Sequence, residues 1–274
     1  MRRYERYVAI GDSTSEGLDD PDGRGGYRGW ANRFAEHVAA HQGDLLYANL
    51  AVRGRRVREI RQQQLERAVA MQPDLSTVVG GVNDLLRPRF DADGVYRDVE
   101  AMQRAIVSLG ATVLTFTLPS MAHVMPATKR LEPRVHALND ALRAASAASG
   151  AILVDLAAHE DVGSDPRMWS VDRLHANSLG HTLIAQALSH AIGLPGATDS
   201  WTIPLPPLAP PTMLDSLRAD LHWARRYLLP WIWRHSRGRS SGDGLQAKRP
   251  ELLRVAVPAE AHPQLAPASH GGLA

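Results

Sequence analysis

A serine, an aspartate and a histidine in this 274-residue sequence are of the types used in nucleophilic catalysis. Ser13 follows Gly11 and Asp12 in a turn-like segment, and a hydroxyl attacks effectively once a base takes its proton. His175 can be that base near neutral pH, and Asp172, one helical turn earlier, could hold its tautomer. Read singly, each segment is better explained as a turn or a helix cap, because these residue types favour both.

Two more segments contain groups that could stabilise a negatively charged oxygen. Residues 80–84 begin with two glycines, which allow the backbone to approach a ligand closely. They also contain Asn83, whose side-chain amide could donate to an oxyanion. Gly54 could turn its backbone N–H toward the same oxyanion. A strand-to-loop turn or a glycine at a helix start would account for either segment without chemistry.

The elements that must position these groups follow from the hydrophobic pattern. Short apolar runs predict strands, and patterns of helical period separate them. The predicted strands are 7–10, 45–50, 76–79, 112–117 and 151–155. The predicted helices are about 29–41, 55–71, 95–109, 129–148 and 177–192. Strands that are apolar throughout and alternate with helices indicate a parallel sheet in a three-layer α/β sandwich. Ligands bind such sheets at the carboxyl ends of the strands, and all four segments lie just after predicted strands.

The four segments occur in the order seen in the SGNH, or GDSL-type, hydrolases, which this chain resembles over about residues 5–193. Gly11-Asp12-Ser13 resembles the nucleophile block, and Gly54 fits the glycine block. Residues 81–84 fit the asparagine block, and residues 172–175 resemble the closing block. Two positions differ from what the family often has: Thr14 replaces leucine and Ala176 replaces proline, and neither change removes a catalytic group.

The resemblance implies a flavodoxin-like α/β/α sandwich with a five-stranded parallel sheet. It also implies ester hydrolysis without a metal ion or other cofactor. Ser13 would be the nucleophile, His175 the base and Asp172 its orienting acid. The oxyanion donors would be the backbone amides of Ser13 and Gly54 and the side chain of Asn83.

Composition excludes several classes of function. The chain has no cysteine, which rules out disulfides, thiolate catalysis and cysteine-based zinc sites. Its net charge of +2 does not indicate nucleic acid as a partner. No run approaches the roughly 20 apolar residues of a membrane span. The first apolar run, 7–10, is too short for a signal peptide, so we expect a cytoplasmic protein.

Four regions are predicted along the chain. Residues 1–194 form the hydrolase domain, and 195–211 form a proline-rich linker that cannot be helical. Residues 212–235 form a basic amphipathic helix, and the tail, 236–274, is expected to be disordered because it lacks periodicity.

Two interpretations of the helix at 212–235 stay open. Its apolar stripe could dock on the hydrolase domain or on a second subunit. Alternatively, its tryptophans and arginines could place it at a membrane interface, on the inner face of the cell membrane. We expect no specific nucleic-acid partner, because no recognition fold accompanies the basic residues.

The sequence therefore predicts a serine esterase with a small-molecule ester as substrate. An acetylated sugar, a short-chain lipid ester and a thioester all remain open. The alternative is a catalytically silent hydrolase-fold scaffold, or a peripheral membrane-binding protein, that acts through its C-terminal helix.

Overall fold

A single six-stranded sheet organises the chain in a computed structural model that describes residues 2–122, 124–207, 212–230, 233 and 241–256. The spatial order of the strands is β5-β4-β3-β1-β2-β6. The first five are parallel to one another, and β6 is antiparallel to β2. The strands are β1 (Arg6–Gly11), β2 (Leu46–Asn49), β3 (Leu75–Val79), β4 (Thr112–Phe116), β5 (Ile152–Val154) and β6 (Arg249–Arg254).

Helices cover both faces of this sheet, as predicted. On one face, a buried cluster that includes Trp30, Phe34 and Leu188 joins the sheet to α2 and α8. On the other, a cluster that includes Ile60 and Met102 joins it to α3, α5 and α6. The α-helices are α1 (Ser13–Glu16), α2 (Gly29–Gln42), α3 (Val57–Ala70), α4 (Val82–Leu85), α5 (Ala92–Val107), α6 (Glu132–Ser149), α7 (Glu160–Gly163), α8 (Ser178–Ala191) and α9 (Met213–Trp223). Short 3₁₀ helices span Pro126–Leu131, Leu156–Ala158, Pro166–Met168 and Asp199–Thr202.

The strand order places a topological switch point beside β1. The chain passes from β1 to β2 on one side and then returns to β3 on the other. Gly11 at the end of β1 pairs with Val79 at the end of β3. The loops that follow β1, β2 and β3 therefore diverge from neighbouring strand ends, which is where ligands bind in open α/β sheets.

The prediction of five strands is wrong by one, and the missed strand lies in the tail predicted to be disordered. β6 pairs with the outer edge of β2, and the guanidinium of Arg249 donates to the Tyr47 carbonyl at 2.7 Å. Pro250 is tolerated because an edge strand leaves some N–H groups unpaired. Leu252 packs against the core. Residues 236–240 and 257–274 of the predicted tail lie outside the described residues.

The region between the hydrolase domain and α9 is packed at its start. Within the predicted linker 195–211, Asp199–Thr202 forms a 3₁₀ helix whose Trp201 is buried. The predicted helix at 212–235 begins as expected, with the Thr212 side chain accepting a hydrogen bond from the Asp215 N–H. After α9 it continues as a π-helical turn, Ala224–Leu228. No helix in the described part of the chain is both long and apolar enough to cross a membrane.

Candidate active site

Ser13 begins the short helix α1, directly after β1. The buried carboxylate of Asp12 caps this helix by accepting a hydrogen bond from the Thr14 N–H at 3.0 Å. Gly11 is required here, because a Cβ would lie 2.5 Å from the Val79 carbonyl oxygen. The tight turn thus fixes Ser13 at the carboxyl edge of the sheet.

Asp172 and His175 lie in a turn that the Asp172 side chain stabilises. One carboxylate oxygen of Asp172 accepts the N–H groups of Leu174 and His175, at 2.9 and 3.0 Å. The turn bends sharply enough that Arg173 takes a φ of 61°. Asp172 can therefore position His175 through the backbone as well as through the ring.

The structure brings the serine, the histidine and the aspartate into direct contact. His175 Nε2 lies 2.8 Å from the Ser13 Oγ, and its Nδ1 lies 2.6 Å from the second Asp172 oxygen. A carboxylate accepts hydrogen bonds, so Nδ1 carries the proton and the neutral ring leaves Nε2 free to accept from the serine hydroxyl. The three residues that the sequence predicts for attack and proton transfer are thus in contact, with His175 between Ser13 and Asp172.

Charge around the histidine favours its protonated form. Burial alone would lower the pKa of His175, but the hydrogen bond and charge of Asp172, with the charges of Asp19 and Asp12, outweigh it and raise the pKa above 6.5. Burial alone would raise the pKa of Asp172, yet its contacts with His175 lower it below 3.8. An imidazolium formed during reaction would thus be stabilised by an ionised carboxylate.

Asp19 is a second carboxylate beside the histidine that the sequence analysis did not single out for this site. Its side chain, that of Asp172 and the His175 ring offer polar atoms that lie within 4.8 Å of one another. The Ser170 hydroxyl donates to Asp19 at 2.5 Å and anchors it there. Its place six residues after the nucleophile, in an acidic loop, was the only sequence signal.

Substituting Asp19 with asparagine should move the acid limb of the pH–rate profile to lower pH. His175 must be neutral to act as a base, so activity falls as pH drops through its raised pKa. Removing the negative charge of Asp19 lowers that pKa, by about one unit for a charge at this range. The pH dependence of kcat/KM for a soluble ester measures it. Asp22→Asn, in the same loop but exposed, is the matched control, and an equal shift in both variants would contradict the assignment.

Asn83 and Gly54 line the same cleft as Ser13. The Asn83 amide donates to the Asp12 carboxylate and to the Arg55 carbonyl, both at 3.1 Å. Both hydrogens of the side-chain amide are therefore engaged in this state. To donate to an oxyanion, Asn83 must share or exchange one of these two hydrogen bonds. Gly54 has a φ of 76°, a conformation that favours glycine, in the turn after β2.

Comparison with known proteins identifies the family of this chain. The profile of the GDSL-like lipase/acylhydrolase family matches residues 9–183. The chain belongs to that family. It is accordingly a hydrolase that acts on ester bonds. No curated protein matches the chain.

Solved structures share the fold of this GDSL-like chain at low sequence identity. LAE5, an α/β-hydrolase enzyme from the metagenome of Lake Arreo, Spain, is 20% identical with a TM-score of 0.58. TesA is 20% identical with a TM-score of 0.57. A catalytic mutant of Axe2, an acetylxylan esterase from Geobacillus stearothermophilus, is 18% identical with a TM-score of 0.60. The matches cover 69–71% of this chain and 95–98% of those chains.

The GDSL-like domain is extended by a C-terminal segment that forms one wall of the cleft. The cleft has a volume of about 630 Å³, and Trp223, Tyr227 and Leu228 line it. The Trp223 indole N–H donates to the Asp172 carbonyl at 2.8 Å. The Arg173 guanidinium lies over the same indole and pairs with Asp220 at 2.6 Å. The helix is thus tied to the turn that carries the aspartate and the histidine.

The sequence predicts the helix itself but contains no signal for its contacts with Asp172 and Arg173. Met121 and Met125, from the segment after β4, also line the cleft. Ser241 and Asp243, from the predicted disordered tail, also line it.

A second, smaller cavity is also lined by His175. It has a volume of about 100 Å³ and a mostly apolar lining that includes Trp169, Phe116 and Leu156. His181 also lines it but is structural, because its ring accepts from the Trp30 backbone N–H and donates to the Leu18 carbonyl. Burial lowers the pKa of His181 to about 4, which keeps it neutral.

Proposed function

We propose that this chain is a serine esterase that hydrolyses carboxylic esters through a covalent acyl-enzyme. The observation that carries the proposal is the continuous chain of contacts from the Ser13 hydroxyl through His175 to Asp172. A turn residue or a helix cap needs no such chain. Family membership supports the reaction class, and the residue roles are inferred from these contacts.

In the proposed reaction, Ser13 Oγ attacks the ester carbonyl while His175 Nε2 accepts its proton. Asp172 stabilises the resulting imidazolium. The tetrahedral intermediate collapses when His175 returns the proton to the departing alcohol oxygen. Water, deprotonated by the same ring, then attacks the acyl-enzyme carbonyl. The second tetrahedral intermediate collapses as His175 returns that proton to Ser13 Oγ, which releases the acid and free Ser13.

The oxyanion of that intermediate would rest on three donors from three loops. They are the backbone N–H groups of Ser13 and Gly54 and the side-chain amide of Asn83. Each follows a different strand, β1, β2 and β3, and these strands are neighbours in the sheet. Donors fixed before the reaction stabilise developing charge without reorganisation. Asn83 differs from the two backbone donors in this respect, because it must first share or exchange one of its present hydrogen bonds.

Substitution of Asn83 with alanine should lower kcat about 10²–10³-fold, the usual cost of one oxyanion donor. KM should change little, because the charge develops only in the transition state. The change also removes a partner of buried Asp12, so stability should fall modestly. Rates are therefore to be compared below the unfolding transition of the variant, with thermal unfolding monitored by circular dichroism.

A matched control separates the two effects. Asn139 also bonds backbone groups, those of Leu118, at a buried position away from the cleft. Asn139→Ala should lower stability without a comparable loss of kcat. Equal losses of kcat in the two variants would remove Asn83 from the oxyanion role.

The cleft favours an amphiphilic ester over a fully polar one. Apolar side chains from two regions face it, including Met121, Met125 and Trp223. Arginines also line it, among them Arg55 and Arg87. An apolar acyl chain with a polar or anionic head matches this lining better than an acetylated sugar does.

We place the enzyme in the cytoplasm as a proposal that rests on the sequence alone.

The test of this function is labelling of the intact protein by a fluorophosphonate probe, together with hydrolysis of p-nitrophenyl esters of increasing chain length. The probe reacts only with an activated serine. A silent scaffold with the same fold would give neither labelling nor hydrolysis.

A further inference from the structure

Helix α9 and the turn after it have two faces with different surroundings. Trp223, Tyr227 and Leu228 are half-buried and line the cleft. On the opposite face the described side chains are exposed, and Met213 at the start of the helix is 91% exposed. Apolar side chains therefore lie on both faces of this segment.

The segment from 213 to 233 concentrates the exposed apolar side chains of the described residues. Eleven large apolar side chains are exposed in the described residues, and six of them lie between 213 and 233. Each of the six is more than half exposed. They are Met213, Leu214, Leu217, Leu221, Leu229 and Trp233. A surface of this kind marks an interaction site rather than ordinary scatter.

The same part of the chain is rich in basic residues. Arg218, Arg225 and Arg226 are exposed along the helix. Residues 212–249 contain eight lysines and arginines against three aspartates, whereas the rest of the chain has 23 basic residues against 26 acidic ones. The basic excess of the chain thus belongs to this segment.

We propose that the outer face of α9 binds an anionic membrane surface. Leucine and methionine would enter the boundary between headgroups and acyl chains, and the arginines would contact anionic headgroups. A second copy of the chain fits less well, because a symmetric contact would bring Arg225 and Arg226 of both copies together.

Membrane binding at this face would place the bilayer against the wall of the cleft. The inner face of α9 lines that cleft, so only about one helix diameter, ~10 Å, would separate bilayer and cleft. A lipid-embedded ester would then need to move only a short way to reach Ser13. This consequence rests on the proposed esterase function, whereas the binding itself does not.

The experiment is co-sedimentation of the full chain with vesicles of phosphatidylcholine alone or with phosphatidylglycerol added. Wild-type protein should bind the anionic vesicles more tightly. Leu217→Glu with Leu221→Glu should weaken binding to them at least about tenfold, since two leucines no longer enter the interface. Arg225→Glu with Arg226→Glu should weaken it by about tenfold or more, with little effect on neutral vesicles.

A charge-matched control is Arg58→Glu with Arg89→Glu, two exposed residues in the groove between α3 and α5. It should bind anionic vesicles like the wild type. An equal loss of vesicle binding in the control would mean that net charge alone controls binding, and this result would overturn the proposal.

Two further results would overturn the proposal. Absence of binding to anionic vesicles overturns the proposal, as does a dimer in sedimentation velocity that only the leucine variant dissociates. Hydrolysis of soluble p-nitrophenyl acetate is measured in parallel and should be unchanged in the helix variants. If the wild type binds vesicles but hydrolyses no ester, the esterase proposal fails and the membrane proposal stands.

Discussion

Replacement of Ser13 by alanine should abolish fluorophosphonate labelling and lower kcat/KM for p-nitrophenyl acetate by about 10⁴-fold or more. The variant keeps the cleft, the oxyanion donors and the histidine but has no atom to attack the carbonyl. The fold should be unaffected, because the cap of α1 is the Asp12 side chain and not the serine hydroxyl. Labelling, steady-state kinetics and the thermal unfolding midpoint measure the three effects.

The matched control lies in the same short helix. The Ser15 hydroxyl is buried and makes no hydrogen bond within the described part of the chain. Ser15→Ala removes the same atom two residues away and should keep both labelling and turnover. Residual labelling of the Ser13 variant at the wild-type rate would mean that another serine is the nucleophile.

The sheet and the site were largely predictable from sequence for one physical reason. Strands buried on both faces are apolar throughout, so runs such as 76–79 stand out, and the observed strand is Leu75–Val79. Parallel strands then bring their carboxyl ends together, which made the order of Ser13, Gly54, Asn83 and His175 informative. Local pattern and long-range assembly agree in this part of the chain.

The edge strand β6 was not predictable because it obeys weaker constraints. It contains a proline and three charged residues, and most of its side chains are exposed or half-buried. An edge strand needs only one partner and one packed face, so little apolar pattern remains in its sequence. Its pairing with β2 depends on a segment about 200 positions away.

The surroundings of α9 were missed for a different reason. The sequence predicts a single apolar stripe along the helix at 212–235. In the structure Leu217 and Leu221 are exposed, whereas Tyr227 and Leu228 face the cleft. The π-helical turn at Ala224–Leu228 changes the number of residues per turn and so rotates the stripe midway. Helical period alone contains no signal for that turn.

Substitution of Asp172 with asparagine should lower kcat/KM by about 10³–10⁴-fold while leaving the turn intact. The asparagine carbonyl can still accept the N–H groups of Leu174 and His175, which now bond one carboxylate oxygen. Its amide NH₂ then faces His175 Nδ1, which must accept and so leaves the proton on Nε2. In that tautomer the ring cannot take the proton of Ser13. Kinetics with p-nitrophenyl acetate, and the rate of fluorophosphonate labelling, measure the loss.

Comparison with Asp19→Asn decides which carboxylate orients the ring, because both aspartates lie beside it. Only Asp172 contacts Nδ1, at 2.6 Å, so only its loss should change the tautomer. Asp19 acts on the ring through charge, so its loss should shift the pH profile and leave the plateau rate within about tenfold. A small effect at Asp172 with a large one at Asp19 would reverse the two roles. Losses that are large in both variants would mean that the two carboxylates hold the imidazolium jointly.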